Sequence, residues 1–352
     1  MRTWWLVVAA CNSAPRTAAQ DATVDAAIPD ASRPDGAAAL DPWNQPLGSA
    51  LAGVTLADGW TDLRALPAPM QITGGWTDSL FATPDGLHLR FAYQPVDFFD
   101  FINGSGASVL TGPELAGDPS TTFQLFDATL TGSGWTIAAD PVDVTTVTMA
   151  SPASNASDDL LVLTEFDGPS RLYYASLPAS TPAPIPIGSG AANDDNAKIY
   201  GELATSVAIY FESNRGSNAQ RTLYTTTYAG SAFTPVTQLT GIATATSDDS
   251  QPFLTADQQT LYFTSVRGAQ YGVFAATRQP DGSWANSHGV ALATTDSTMF
   301  AGNVTYIGEA SIVEAPEGEL LYMMCGVAEN LHGSATYGNA NDVALVPCVA
   351  RR

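Results

Sequence analysis

The sequence is short of positive charge: 13 Lys+Arg stand against 35 Asp+Glu in 352 residues, a net charge of −22 at pH 7. A surface so acidic, with no basic cluster to reverse it locally, repels a polyphosphate backbone and excludes nucleic acid as a partner. Charge of either sign is scarce, 14% of residues against the usual quarter or so. The surface must therefore be built largely from Ser, Thr, Asn, Gln and Gly. Histidine and cysteine number three each, too few for a disulfide-dense scaffold. No HExxH, GxSxG, phosphate-binding or dinucleotide-binding loop stands in a supporting context. The apolar run from Trp4 to Ala10 falls far short of the about 20 residues that cross a bilayer. What is present is a hydrophobic fraction of 45%, enough to exclude wholesale disorder.

The amino terminus suggests an address. Residues 1–11 join Arg2, a short apolar run and Cys11, the layout of an export signal. Val8, Ala9, Ala10 and Cys11 resemble a bacterial lipobox, in which the cysteine becomes the lipidated first residue. Residues 12–47 are rich in Ala, Asp and Pro and lack apolar periodicity, so they read as a disordered tether. The folded domain is expected over 48–352.

Within it, short alternating apolar segments are separated by Asp, Gly, Asn, Ser and Pro, a β pattern. The pattern repeats. DSQPFLTADQQTLYFTSVRG (249–268), DSLFATPDGLHLRF (78–91) and EASIVEAPEGELLYMM (309–324) each hold a strand, an acidic turn and a second strand; 195–216 is a further copy and 156–168 a degraded one. Asp85 to Phe91, Asp257 to Phe263 and Glu317 to Met323 are all six residues apart. The inner strand of the degraded copy is expected within 142–150. A second hairpin follows, with Phe126 and Trp135, Tyr224 and Phe233, and Phe274 and Trp284 on its two strands. Four-stranded units at this spacing predict an all-β, five-bladed β-propeller, with room for a sixth blade only in the 72-residue step from Phe91 to Leu163. Residues 98–120 read as a long loop of the first blade, and residues 56–70 as the strand that closes the ring.

LYFTSVRG (261–268), IYFESNRG (209–216) and DSQPFLTAD (249–257) resemble the WD40-like repeats of TolB-type propellers. That resemblance covers roughly residues 56–349 and implies an interaction platform of the bacterial envelope.

The candidate chemistry is sparse. Asp78, Asp195, Asp249 and Glu309 head their blades. The simpler reading is that each accepts backbone hydrogen bonds and fixes blade geometry. The alternative is a ring of acids around the channel that binds calcium or another cation, or that raises one pKa for glycoside chemistry. Arg215 and Arg267 recur in SNRG and SVRG and are expected to pair with a neighbouring blade's Asp or with carbonyls; a ligand-binding role is the alternative. His88, His288 and His332 fall at unrelated repeat positions, against a shared metal site. Cys325 and Cys348 remain as an even pair and are expected to form a disulfide bracing the last blade, with free buried thiols as the alternative; residues 330–342 would be a recognition loop held by it.

These features lead to the expectation of a noncatalytic envelope lipoprotein, monomeric, touching the membrane only through its lipid and binding an envelope protein or a glycan through one rim. The alternative is an exported carbohydrate-active enzyme, hydrolase or lyase, using carboxylates near the channel. No cofactor other than calcium is expected.

Overall fold

The computed structural model describes residues 47–352 except 73–75, 96–114, 116–123, 143–148, 167, 178–180, 189, 203–204, 217–219, 230–231, 294–303, 317 and 329–342. Cys11, the tether up to residue 46, His332 and nearly all of the proposed loops at 98–120 and 330–342 lie outside the described residues.

Two short strands come first, β1 (Val54–Leu56) and β2 (Thr61–Ala65). Blade 1 follows with β3 (Trp76–Ala82), β4 (His88–Gln94), β5 (Gln124–Thr131) and β6 (Gly134–Ile137). Blade 2 holds β7 (Met149–Ser154), β8 (Leu160–Glu165), β9 (Arg171–Ser176) and β10 (Ala183–Pro184); blade 3 holds β11 (Asp194–Glu202), β12 (Ser206–Ser213), β13 (Thr222–Tyr228) and β14 (Thr237–Gln238). Blade 4 is β15 (Asp248–Leu254), β16 (Thr260–Arg267), β17 (Gln270–Arg278) and β18 (Trp284–Ala293); blade 5 is β19 (Val304–Ala315), β20 (Gly318–Ala328) and β21 (Val343–Arg351). These form five antiparallel sheets, four of four strands and one of five, so the fold is a five-bladed β-propeller. Blade 2's inner strand is described over Met149–Ser154, the run that pairs with β8, so the expected 142–150 segment contributes Met149 and Ala150, and residues 143–148 lie outside the described residues.

The ring closes through the chain start. β2 pairs with β21 and completes blade 5. β1 adds a fifth strand to blade 4, Val54 opposite Ala293, a contact with no counterpart in the repeat. β2 covers the outer edge of β21 and β1 that of β18.

Each seam between blades holds its own hydrophobic cluster. Phe126 and Leu89 pack with Tyr322 and Met324 between blades 1 and 5, Leu223 and Tyr210 with Phe263 and Trp284 between blades 3 and 4. Trp135 meets Tyr322 edge-on, centroids 6.4 Å apart. The aromatics that repeat in sequence also form cross-strand pairs in register: Phe91 with Phe126, Phe211 with Tyr224 and Phe263 with Phe274 stack at 6.0, 6.0 and 6.1 Å. Such pairs contribute about 0.5–1.5 kcal/mol each beyond area burial.

The arginines extend this unit. Arg267 lies over Phe263 and Phe274 at 5.0 and 5.3 Å, pairs with Asp249 at 3.0 Å, and donates to Ser265 Oγ and to the Ile242 carbonyl at the end of blade 3. Arg215 does the same with Phe211, Tyr224, Asp194, Ser213 and the Ile187 carbonyl at the end of blade 2. Each Arg pairs with an Asp of its own blade and reaches the preceding blade through a carbonyl.

Cys325 and Cys348 form a disulfide between β20 and β21, 23 residues apart in sequence. The crosslink lies in the blade that closes the ring. Removing its constraint on the unfolded chain, by reductant or by Cys348→Ala, is expected to lower stability by about 3 kcal/mol; denaturant unfolding with and without dithiothreitol measures it.

Candidate active site

Every inner strand breaks its register at the same depth. The shifts fall between Asp78 and Phe81, Ala150 and Ala153, Asp195 and Lys198, Ser250 and Phe253, and Gly308 and Ser311. Inside each bulge one non-glycine residue takes a left-handed backbone: Ser79, Ser151, Asn196, Gln251 and Glu309, with φ of 60°, 53°, 49°, 51° and 58°. That conformation costs an L-residue about 1–2 kcal/mol, and glycine would avoid it. The side chains explain why glycine is absent here.

They form a closed belt around the axis. Ser79 Oγ lies 3.3 Å from Ser151 Oγ, which donates to Asn196 Oδ1 at 2.6 Å. Asn196 Nδ2 donates to Glu212 Oε2 (3.1 Å), which also accepts the Gln251 N–H (2.8 Å). Gln251 Nε2 donates to Glu309 Oε1 (3.1 Å), and Glu309 Oε2 accepts the N–H of Leu80, next to Ser79, at 2.8 Å. All five blades are joined. Strands one step out complete the pattern, with Thr164 and Thr264 accepting the N–H groups of Asn196 and Glu309.

On this belt sit the titratable groups. Glu309 is buried and hydrogen-bonds the half-buried Asp78. Burial, then the Asp78 charge and that hydrogen bond, push the Glu309 carboxyl well above the usual carboxylate range. The pair therefore keeps a proton to higher pH than free carboxyls do. Asp195 is buried beside Glu212, and desolvation followed by that neighbour pushes it up to about 7. Glu212 is fully buried against Arg221, a short contact that leaves its other oxygen to Asn196 and Gln251. Lys198 is buried within the influence of both Glu309 and Glu212; burial outweighs their pull and lowers it to about 8. The Tyr306 hydroxyl accepts from Gln251 Nε2 at 3.2 Å, and its ring lies 5.5 Å from Tyr271. Asp78, Asn196, Gln251 and Tyr306 keep partial exposure.

The four acids expected to be equivalent occupy three different positions. Asp78 and Asp195 are first residues of bulges, each accepting the next residue's N–H at 2.8 Å. Glu309 is the left-handed residue itself. Asp249 lies one step earlier, opposite Ser265, and serves Arg267, as Asp194 opposite Ser213 serves Arg215. Asp78 and Glu309 meet, Asp195 instead faces Glu212, and Asp249 is committed to its blade. Among the described residues no three His, Cys, Asp or Glu side chains converge as a metal site. His88 contacts Thr129 in blade 1 and His288 contacts Asp58 beside blade 4. Glu212, Lys198 and Arg221 were not anticipated. Glu212 carried one signal: it stands in IYFES where LYFTS has Thr264.

No protein-family model matches the chain, and no curated protein matches it. Solved structures share its fold. A glycoside hydrolase matches at 8% identity and a TM-score of 0.48, over 86% of this chain and 91% of that one. An α-L-arabinofuranosidase from Podospora anserina, in complex with cellotriose, matches at 11% and 0.44, over 87% and 98%. A putative TolB from Agrobacterium tumefaciens matches at 14% and 0.38, over 72% of each chain. At these values the likeness is one of fold.

The expectation of a noncatalytic, TolB-type binding scaffold is corrected. The ground for the correction is the chemistry of the buried cluster itself. A scaffold needs only dispersed acids satisfied by backbone donors; here buried Asp195, Glu212, Glu309 and Lys198 cluster with half-buried Asp78, and Asp195 and Glu309 are raised above the ordinary carboxylate range.

Asp195 gives a pH-dependent stability. Its folded value of about 7 lies above the unfolded 3.8, so the stability it contributes is fully present below about pH 4 and is lost as pH rises through about 7. The melting temperature is expected to fall between pH 5 and pH 8, and Asp195→Asn to flatten that fall; thermal scans across the range measure both.

Proposed function

We propose that this domain is a carbohydrate-active enzyme, a glycoside hydrolase or lyase, that works with the carboxyls of its central channel. The observation that carries the reading is the Asp78–Glu309 pair. In water two carboxyls ionise near pH 4, whereas here burial keeps a proton on Glu309 well above that range while Asp78 remains partly exposed. A carboxyl that keeps its proton above the usual range, in contact with a second, partly exposed carboxyl, is a pair that can give and take a proton.

Asp78 is the group placed to touch a substrate. Glu309, held by the Leu80 N–H and the Gln251 amide, is a positioning residue that lends or takes the proton. Direct contact is closer than the about 5–9.5 Å that separates two carboxyls astride a glycosidic bond, so the pair acts as one proton-holding unit. An elimination needs an acid and a base at one place, which the unit supplies; a hydrolysis needs in addition a water on the sugar. The half-buried rings of Tyr306 and Tyr271 give a sugar an apolar face beside the pair.

The TolB-type repeat likeness at 209–216 and 261–268 is read as blade construction, since its Arg and Ser are used by Asp194 and Asp249. The disulfide supports a site of action outside the reducing cytosol.

The test is release of reducing ends, and of unsaturated products by absorbance, from a panel of plant and bacterial polysaccharides. Asp78→Asn is expected to lower kcat by about 10²–10⁴-fold with the melting temperature little changed. Glu309→Gln is expected to lower kcat and remove the alkaline limb of the pH profile. No turnover by the unaltered protein across the panel would refute the reading.

A further inference from the structure

Lys198 is the only lysine in the chain, and it is 4% exposed. It lies two residues past Asn196 on β11 and reaches across to blade 1, where its Nζ stands 5.3 Å from the centroid of the Phe81 ring. The arginines nearest in burial meet polar partners: Arg90 meets Asp127 and Asp158, Arg215 meets Asp194, Arg221 meets Glu212 and Arg267 meets Asp249, while the half-buried Arg171 donates to the Ser170, Ala192 and Gly190 carbonyls and the half-buried Arg278 lies over Trp284. Among the described residues the Lys198 ammonium has no ion pair and no hydrogen-bond acceptor. Its nearest acids are already engaged. Glu212 is taken by Arg221, Asn196 and Gln251, and Glu309 by Leu80, Gln251 and Asp78. A buried ammonium has three donors to satisfy, and a fold that keeps one unmatched forgoes stability at that place.

We propose that Lys198 is a ligand-binding residue, whose ammonium donates hydrogen bonds to the oxygens of a neutral, hydroxyl-rich molecule seated against Asp78. This rests on the channel being the functional site, and it deepens that reading by naming the ligand's chemistry. The ligand must present acceptors to Lys198 and donors to Asp78, and a hydroxyl is both. Charge decides the rest. Asp78, Asp195, Glu212 and Glu309 stand against Lys198 and Arg221, so the channel has no positive excess to hold an anion, and the chain carries −22 overall. A cationic ligand meets the ammonium itself. The four-carbon stem gives the group the reach to follow an oxygen that enters beside Phe81.

The rival role for Lys198 is a structural counter-charge for the acids, and stability separates the two. If the ammonium is reserved for a ligand, Lys198→Met removes an unmatched buried charge, and the melting temperature of the full-length protein at pH 7 stays equal or rises. If it is a counter-charge, the variant leaves the acids uncompensated and melts several degrees lower, which overturns the proposal.

Calorimetric titration with cellotriose, xylotriose and arabinotriose, and with trigalacturonate as the anionic control, tests the ligand. At least one neutral oligosaccharide is expected to bind, at least 10-fold more weakly to Lys198→Met, with part of the loss restored in Lys198→Arg. Affinity is expected to fall above about pH 8, where Lys198 loses its proton; the other groups facing it, Glu309 and Asp78 from blades 5 and 1 and Glu212, Asp195 and Arg221 from its own blade, remain in Lys198→Met, which should lose that dependence. Unchanged affinity in Lys198→Met, no binding of any neutral oligosaccharide, or preference for trigalacturonate overturns the proposal. Lys198-dependent binding without turnover by the unaltered protein leaves this proposal standing and removes the enzyme reading. Turnover with an unchanged KM in Lys198→Met does the reverse.

Discussion

The structure depends on the hydrogen-bonded belt made by five left-handed bulge residues at the axis. A propeller's blades splay outward, so their inner strands are the only place where all five can be tied together by polar contacts. Ser79, Ser151, Asn196, Gln251 and Glu309 each accept backbone strain to turn a side chain toward the next blade, and the chain of donors and acceptors returns to its start at Leu80. Strain of this kind persists only where its surroundings over-determine it. Here the seams do so: each bulge lies between two apolar clusters that fix the blades on either side.

The belt also creates the chemistry. A bulge turns consecutive residues toward the same side, which is how Asp78 from one blade and Glu309 from another come into contact. Their proximity and burial raise Glu309, just as the proximity of Glu212 raises Asp195. Local geometry thus converts a conformational device into a proton-holding one. The same burial leaves Lys198, among the described residues, with the Phe81 ring and no ion pair, since the carboxyl oxygens it might have claimed are needed to close the ring.

What could be read in the sequence was whatever repeats through pairing. Cross-strand aromatics recur because each blade needs the same stacked pair, and Arg215 and Arg267 recur because each lies over such a pair. Fold, blade count and ring closure follow from these. The acids were harder. Equal spacing from Asp249 to Phe263 and from Glu309 to Met323 suggested one shared position, but the β19–β20 hairpin runs nine residues from Ile312 to Leu321, where β15–β16 runs seven from Leu254 to Leu261. A longer hairpin shifts the count, so Glu309 falls on the axis while Asp249 stays in its blade. Blade 1 shows the converse, since Thr77 holds the position of Asp249 and Asp194, and Asp78 holds the next one. Lys198 was silent because it occurs in a single blade, and Glu212 showed only as a departure from Thr264 in the repeat. Repeat comparison reveals what blades share, and a functional site in a propeller is built from what they do not.

That asymmetry bears on how such a fold acquires activity. Four of the five belt positions are neutral, and a ring of serine, asparagine and glutamine would close as well as this one does. Blade 5 instead places a carboxyl there, blade 1 places a second beside it, and blade 3 contributes Lys198 and Glu212, with Arg221 holding the latter. The charged groups come from blades 5 and 1, which are neighbours around the ring, and from blade 3, which adjoins neither, so none is imposed by a repeat, and half-buried Asp78, Asn196, Gln251 and Tyr306 stand among them. A stability requirement alone would favour neutral residues at these buried positions, because each charge loses hydration that the belt does not fully restore. The departure from symmetry is concentrated where the cost is greatest, and that is the physical ground for assigning chemistry to the channel instead of to the rim.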